Sequence, residues 1–469
     1  MRTYFKNLSV LQKIEYIILL LLAFSVPISW ALATKILALL AVEMLIRLVA
    51  EKGRGISLNK HSNKRLFLFF ATTYLLYAIS MLYTSNVAEG WQNMEKKLSF
   101  LIFPLFFFVS DLSYLSSKHV KTLFYSFMSG LLFFIVGNLL WATYDYIFLD
   151  APVSRFLGFE ATKIYYTHHT YMAMYACVGI IYSFVELFET HLKSRSKIVF
   201  LVSVQLLSIL YVVLVESRAG ILCMGLLFVF LFAWLFFVKK KRMLTLCVGT
   251  MFSVVIVIFF LMFPSGLERI MKTQVVYENK KEDVRITHLK AGLSVIEENY
   301  LFGVGVGDRT DALNEYYVKN GSWCVGYNSH NQYVDTTVSI GILGLLALLG
   351  YFVVPVILFY VNKDWDIVFM LFLFMIAFNA VFEAIFETQT GILFFNYIYS
   401  LLFYDRFVCR QALPDKRLET NDKRILIEKN LIAQSSRLKA KEHFRLSTKK
   451  NTRSLKEIDC SPLTVVRSP

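Results

Sequence analysis

The sequence predicts an all-α integral membrane protein of about twelve transmembrane helices, and three observations carry that prediction. Hydrophobic residues make up 57% of the chain and aromatic residues 16%, more than a soluble domain needs for its core, so the surplus must face lipid. Long apolar runs such as Val120 to Tyr144 and Thr245 to Phe263 lack the alternation of a transmembrane barrel, which leaves helices to satisfy the backbone in hydrocarbon. Positive charge gathers in short loops that fall on one side when the runs are counted.

Six spans are expected at Tyr16 to Phe24, Ile36 to Leu48, Leu66 to Tyr83, Leu98 to Val109, Val120 to Tyr144 and Tyr171 to Leu187. Six more follow at Ile198 to Val215, Leu222 to Val238, Leu244 to Phe263, Val338 to Tyr360, Ile367 to Phe386 and Ile392 to Phe403. Several are shorter than the ~20 residues that cross a bilayer, and the first two read equally well as a hairpin broken at Pro27. The N-terminus does not read as a cleaved signal, because Ile14 to Ala50 is too long, has no small-residue cleavage site and leads into further spans.

Orientation comes from the loops. Arg47, Lys52, Arg54, Lys60, Lys64 and Arg65 form one basic loop, Lys193, Arg195 and Lys197 a second, and Lys239, Lys240, Lys241 and Arg242 a third. The positive-inside rule makes that side the cytoplasm, with both termini inside and Pro264 to Thr337 outside. Residues 1–408 are expected to form the membrane domain, and 409–469 a basic, partly disordered cytoplasmic tail. The net charge of +15 lies in that tail and the loops, so the implied partner is membrane lipid and not nucleic acid. Six scattered cysteines, including Cys177, Cys223 and Cys247 in apolar runs, have no metal-like spacing.

This topology brings polar residues to the outer side: His168 and His169 before the sixth span, Glu216 and Arg218 after the seventh, Arg285, His288 and His330 in the large loop, and Glu383 and Glu387 near the end of the eleventh. Charges at membrane depth are costly and are kept where they pair or line a cavity, so an outward-opening polar chamber is the economical reading. Arg218 sits in Val215-Glu216-Ser217-Arg218-Ala219-Gly220, a turn too short for a solvent loop, where it must pair with Glu216, snorkel or meet a ligand. Glu282 to Asn299 reads as an amphipathic helix whose stripe Ile286, Leu289, Leu293 and Ile296 is expected to pack inward. Arg285 and His288 should then share a neighbouring face, which as a solvated face needs no function, and Gly292 should admit close approach of another element or a bulky ligand.

Leu301-Phe302-Gly303-Val304-Gly305-Val306-Gly307 follows a helix and lacks the GxGxxG spacing, so it reads as a glycine connector turning the chain back toward the membrane. Asp308 and Asp311 read as turn chemistry in preference to a cation site. In Asn328-Ser329-His330-Asn331-Gln332-Tyr333, a histidine at the membrane boundary flanked by orienting amides could serve as a general base, or simply belong to a polar interfacial loop.

Glu216-Ser217-Arg218-Ala219-Gly220, Arg285, the Leu301 to Gly307 stretch and Ser329-His330-Asn331-Gln332-Tyr333, in this order and topology, resemble the O-antigen ligase and polymerase superfamily across the seventh to tenth spans. The resemblance implies a GT-C-like membrane glycosyltransferase of the bacterial inner membrane, its periplasmic loop spanning about residues 264–337. Such enzymes move a glycan from undecaprenyl diphosphate to an acceptor hydroxyl, with lipid A core as the leading acceptor and a growing glycan or a protein as alternatives. Carried over by position, Arg218 and Arg285 would hold the diphosphate and His330 would be the essential histidine; no cofactor or metal is implied, since arginine forks stabilise phosphate oxygens directly. His168, His169, His288, Asn331 and Glu383 are candidate walls of the substrate site. Tyr300 stands where the family commonly has proline. A transporter or flippase using Arg218, Glu383 and Glu387 is the competing class, and it requires essential charges at mid-membrane.

Overall fold

The computed structural model describes residues 8–50, 61–165, 168–189, 194–250 and 284–409. The tail beyond Cys409, most of the ninth expected span, and the loop before Val284 with Glu282 and Asp283 lie outside the described residues. Every regular element among those described is helical, in keeping with the composition.

The chain opens with α1 (Val10–Ser25) and α2 (Trp30–Ala50), then α3 (His61–Ser80), α4 (Val87–Lys97) and α5 (Ser99–Pro104), which runs on into a π-turn at Leu105–Val109. After α6 (Ser117–Phe148) come two 3-10 turns, then α7 (His169–Glu189), α8 (Arg195–Leu214) and α9 (Arg218–Ala233). The loop region carries α10 (Val284–Asn299) and α11 (Arg309–Lys319), and the chain closes with α12 (Gln332–Asn362), α13 (Ile367–Asn379) and α14 (Gln389–Phe403).

Among the described residues six helices, counting the π-turns that extend α9 and α14, are long and apolar enough to cross a membrane: α6, α7, α8, α9, α12 and α14. Arg65–Ser80 in α3 and Ile367–Asn379 (α13) are shorter apolar helices. Neither α1 nor α2, which hold the first two expected spans, is among the six, and two further expected spans differ. Leu98 to Val109 is not among the six, and its phenylalanines Phe100, Phe103, Phe106, Phe107 and Phe108 are all at 1% exposure or less, because these rings pack into the protein core, while Leu98 and Leu105 stay exposed. The eleventh span ends at Asn379 and not at Phe386, so Glu383 lies in a turn and Glu387 in a 3-10 turn, Ile385–Glu387.

The aromatic content explains the core. Phe70 stacks on Phe108 at 4.8 Å, and its ring also meets Tyr351, Tyr399 and Phe403. The tyrosine hydroxyls there donate to backbone carbonyls, Tyr351 to Phe70 at 2.8 Å and Tyr399 to Tyr351 at 2.9 Å, so size is gained without stranding a polar group.

One end of the bundle gathers several paired basic side chains. Lys121 pairs with Glu186, Lys239 with Glu189, and Arg406 with Asp364 and Asp366, while Arg47 bonds Glu15 and the carbonyl of Asp111. The N-terminal part of α1 lies there too, Tyr16 meeting His119 at 5.3 Å. The opposite end receives the start of α7, α9 and α12.

At that opposite end α12 is broken. Ile340 and Gly341 leave helical geometry, Gly341 with φ +66°. The glycine connector satisfies the freed groups: Val304 N–H donates to Val338 O at 2.8 Å, Gly305 N–H to Ser339 O at 3.0 Å, and Ile342 N–H to Tyr300 O at 2.9 Å. Gly303 has φ +70°, and a Cβ on it would sit 2.6 Å from the backbone of Val338 and Ile340. The connector is thus a backbone clasp on a kinked helix, more than a bend toward the membrane.

Candidate functional site

The loop has its own core, Ala291 and Val295 of α10 against Leu313 and Tyr317 of α11, with Cys324 and Val338. The buried face of α10 is His288, Ala291, Gly292 and Val295, while Ile286, Leu289 and Leu293 are 40–47% exposed. The expected inward stripe is therefore reversed, and of its members Ile296 alone packs on the loop core. Small residues let α10 approach α12, a Cβ on Gly292 falling 2.2 Å from Val334 Cγ1, and the branched residues are left on the surface, as suits a helix that can lie against lipid. The close approach expected of Gly292 is met by this packing.

His330 stands just before α12 with φ +48°, a left-handed conformation that a non-glycine residue adopts only when its neighbours impose it. The neighbours are explicit. Asn328 Oδ1 accepts the His330 N–H at 3.0 Å; Asn331 caps α12 by accepting from Tyr333 and Val334 N–H and donates to Val381 O at 3.1 Å; Gln332 N–H donates to Ala380 O at 2.8 Å. These bonds bind the start of α12 to the turn after α13 and bring His330 Nδ1 to 3.6 Å from Glu383 Oε2. Both side chains are partly open, 34% and 17% exposed. Asn331 thus serves as cap and tie.

Around this pair the other histidines gather. The His288 ring lies 5.0 Å from that of His330, and its Nδ1 is 2.8 Å from the Tyr317 hydroxyl. Burial, with His330 adding to it, pushes the His288 imidazole down to about 4, so it is neutral at pH 7. His168 and His169 pack ring against ring at 4.3 Å, beside Phe159. Burial lowers the His168 imidazole, the Glu383 carboxylate opposes that shift and His330 adds to it, which places one carboxylate in the field of both histidines. The Nδ1 atoms of His168 and His169 are buried without a hydrogen-bond partner among the described residues. The side chain of Arg285 is exposed and lies 5.9 Å over the Phe382 ring, next to Glu383.

Arg218 opens α9 after Ser217, whose Oγ accepts from Gly220 N–H at 3.2 Å. Gly220 fixes its place, since a Cβ there would lie 2.5 Å from Ala173 of α7, one turn after His169. Arg218 therefore shares the bundle end with the histidines; it is exposed and forms no ion pair among the described residues. His330, Glu383, His288 and Arg285 come together directly, His168 and His169 flank them, and Arg218 stands at the same end without touching them.

Behind this site lies a cluster the sequence reading did not find. Lys97 Nζ is 3.0 Å from both oxygens of Glu387 and 3.1 Å from Phe386 O; Arg309 pairs with Asp335 and lies 3.4 Å from Glu387. Asp335 also accepts from Ser329 N–H and Oγ, at 3.1 and 2.7 Å. Two cations and two anions, all buried, join α4, α11, α12 and the 3-10 turn. Glu387 is thereby used in structure, not in an outward chamber. The signal available in sequence was Asp335 at the head of an apolar run, a charge that needs a partner. Asp308 accepts from Ser85 and Asn86 N–H at 2.7 and 2.6 Å, and Asp311 from Asn86 Nδ2 at 2.9 Å, so in place of the expected turn chemistry the two carboxylates tie the start of α11 to the segment before α4. Among the described residues no group of three or more His, Cys, Asp or Glu could hold a metal ion.

The helices and this site describe a multi-pass membrane protein with an ionisable cluster at one end. The O-antigen ligase family model matches residues 203–349, the stretch that runs from α8 through Arg218, Arg285, the glycine clasp and His330 into α12. The match supports the O-antigen ligase and polymerase superfamily, whose members are glycosyltransferase-like enzymes. No curated protein matches the chain.

Proposed function

We propose that this protein is an O-antigen ligase-like glycosyltransferase that moves a glycan from undecaprenyl diphosphate to an acceptor hydroxyl, lipid A core in the leading version, at the periplasmic face of the inner membrane. The observation that carries the reading is the His330–Glu383 pair at 3.6 Å, set beside Arg285; of these, His330 and Arg285 fall in the stretch that the family model matches. His330 takes the proton of the acceptor hydroxyl through its imidazole, held by the left-handed turn. The freed oxygen attacks the anomeric carbon while the bond from that carbon to the diphosphate oxygen breaks, and the bonding pair leaves with the diphosphate. Arg285 and Arg218 stabilise the negative charge that accumulates on it. Direct displacement of this kind inverts the anomeric centre.

The helix dipoles support the same arrangement. α7, α9 and α12 all begin at this end, so their positive ends add to the arginines around an anionic leaving group. A transporter would need charge at mid-membrane, whereas the ionisable residues here gather at helix starts. The test in cells is disruption of the gene. Ligation predicts intact undecaprenyl-linked polymer that stays unattached; accumulation of single capped repeats would assign a polymerase instead, and unchanged attached polymer would contradict the proposal.

A further inference from the structure

A base acts only on a hydroxyl within hydrogen-bond reach, so the molecule carrying that hydroxyl must rest against the residues around His330. One flank of His330 is ionic, formed by Glu383, with Phe382 and Arg285 next to it. The other is aromatic. The Tyr327 ring lies 6.2 Å from the His330 imidazole and 5.8 Å from His288, and Trp323 meets Tyr327 at 6.0 Å with the rings nearly perpendicular. Tyr327 is 47% exposed and Trp323 60%, while Cys324 between them is buried in the loop core.

The backbone that presents these rings is fastened at several points. Ser322 N–H donates to Tyr317 O at 2.8 Å, Gly326 N–H to Asn314 Oδ1 at 2.7 Å, and Tyr327 N–H to Cys324 O at 3.1 Å. Two large rings are thus held outward by a fixed turn, where binding costs little conformational entropy. The corner they form suits a pyranose: the C–H face of the sugar lies on one ring, its edge meets the other, and its hydroxyls project sideways toward the imidazole.

We infer that Trp323 and Tyr327 form the acceptor subsite and that the acceptor is a sugar ring, not a serine or threonine of a protein. This rests on the transferase reading above and narrows it. The donor is placed by its diphosphate on the ionic flank, so the aromatic corner acts on the acceptor alone.

The test uses the full chain in proteoliposomes with a polyprenyl-diphosphate glycan as donor, offered either lipid A core or a serine- and threonine-containing peptide. Transfer to the saccharide is expected. Trp323→Ala and Tyr327→Ala should each raise the acceptor KM about tenfold, with the donor KM unchanged, and Tyr327→Phe should recover most of the loss because the ring does the stacking. The unchanged donor KM also reports an intact fold. Transfer to the peptide but not the saccharide, or an acceptor KM that stays constant in both alanine variants, overturns the subsite while leaving the transferase intact. No transfer to either acceptor by the unmodified protein overturns the transferase reading and the subsite with it.

Discussion

Lys97 Nζ lies 3.0 Å from both carboxylate oxygens of Glu387, with each side chain buried. The pair joins the end of α4 to the 3-10 turn after α13, and Arg309 and Asp335 extend it to α11 and α12. Through that last link the buried charges underpin the turn that aims His330.

Breaking a buried pair by removing one partner typically costs ~3–5 kcal/mol, since the other charge is left uncompensated. Glu387→Gln should therefore lower the thermal midpoint in detergent strongly. Lys97→Met should cost less, because Arg309 remains 3.4 Å from the carboxylate. Equal midpoints for the two variants would contradict the arrangement.

The glycine clasp predicts a contrast between two glycines of similar backbone. Gly303→Ala places a Cβ against the backbone of Val338 and Ile340, and should cost about 2 kcal/mol or more. Gly321 has φ +60° but open space around it, so Gly321→Ala carries only the left-handed strain, about 1 kcal/mol. Thermal unfolding of the two variants checks the order.

His288 predicts a pH dependence. Its folded imidazole is held at about 4, below the ordinary value of 6.5, so the unfolded chain binds more protons between those values. The neutral, buried form contributes stability that is present above about 6.5 and lost as pH falls toward about 4. His288→Gln should flatten the fall of the thermal midpoint across that window relative to the unmodified protein; parallel curves would sink the assignment.

Arg285→Lys keeps the charge but loses the planar fork that grips two phosphate oxygens. If the proposed role holds, kcat/KM for the lipid-linked donor drops about a hundredfold, with the thermal midpoint unchanged since the side chain is exposed.

The helical membrane class was legible because composition and run length report it directly. So was the gathering of His168, His169, Arg285, His288, His330 and Glu383, since counting spans sends all of them to one end. The reversed stripe of α10 was not legible: Ile286 and Leu289 follow the same 3,4 spacing whether a helix faces a core or lipid. Neither was the Lys97–Glu387–Arg309–Asp335 cluster, whose members are 290 positions apart at the extremes and meet only through tertiary packing. The role of Asn331 as a cap shows the same gap, because an amide beside a histidine reads alike as ligand or as tie. The clasp was visible as three glycines, but its partner, the break at Ile340 and Gly341, lay hidden in an unbroken apolar run.

The most direct test of the central claim is single-turnover transfer in proteoliposomes, with polyprenyl-diphosphate glycan and lipid A core, comparing the unmodified chain with the His330→Ala and Arg218→Ala double variant. The account predicts transfer by the former and none above background by the latter, with both proteins equally inserted and folded. Turnover that survives the double substitution would contradict it.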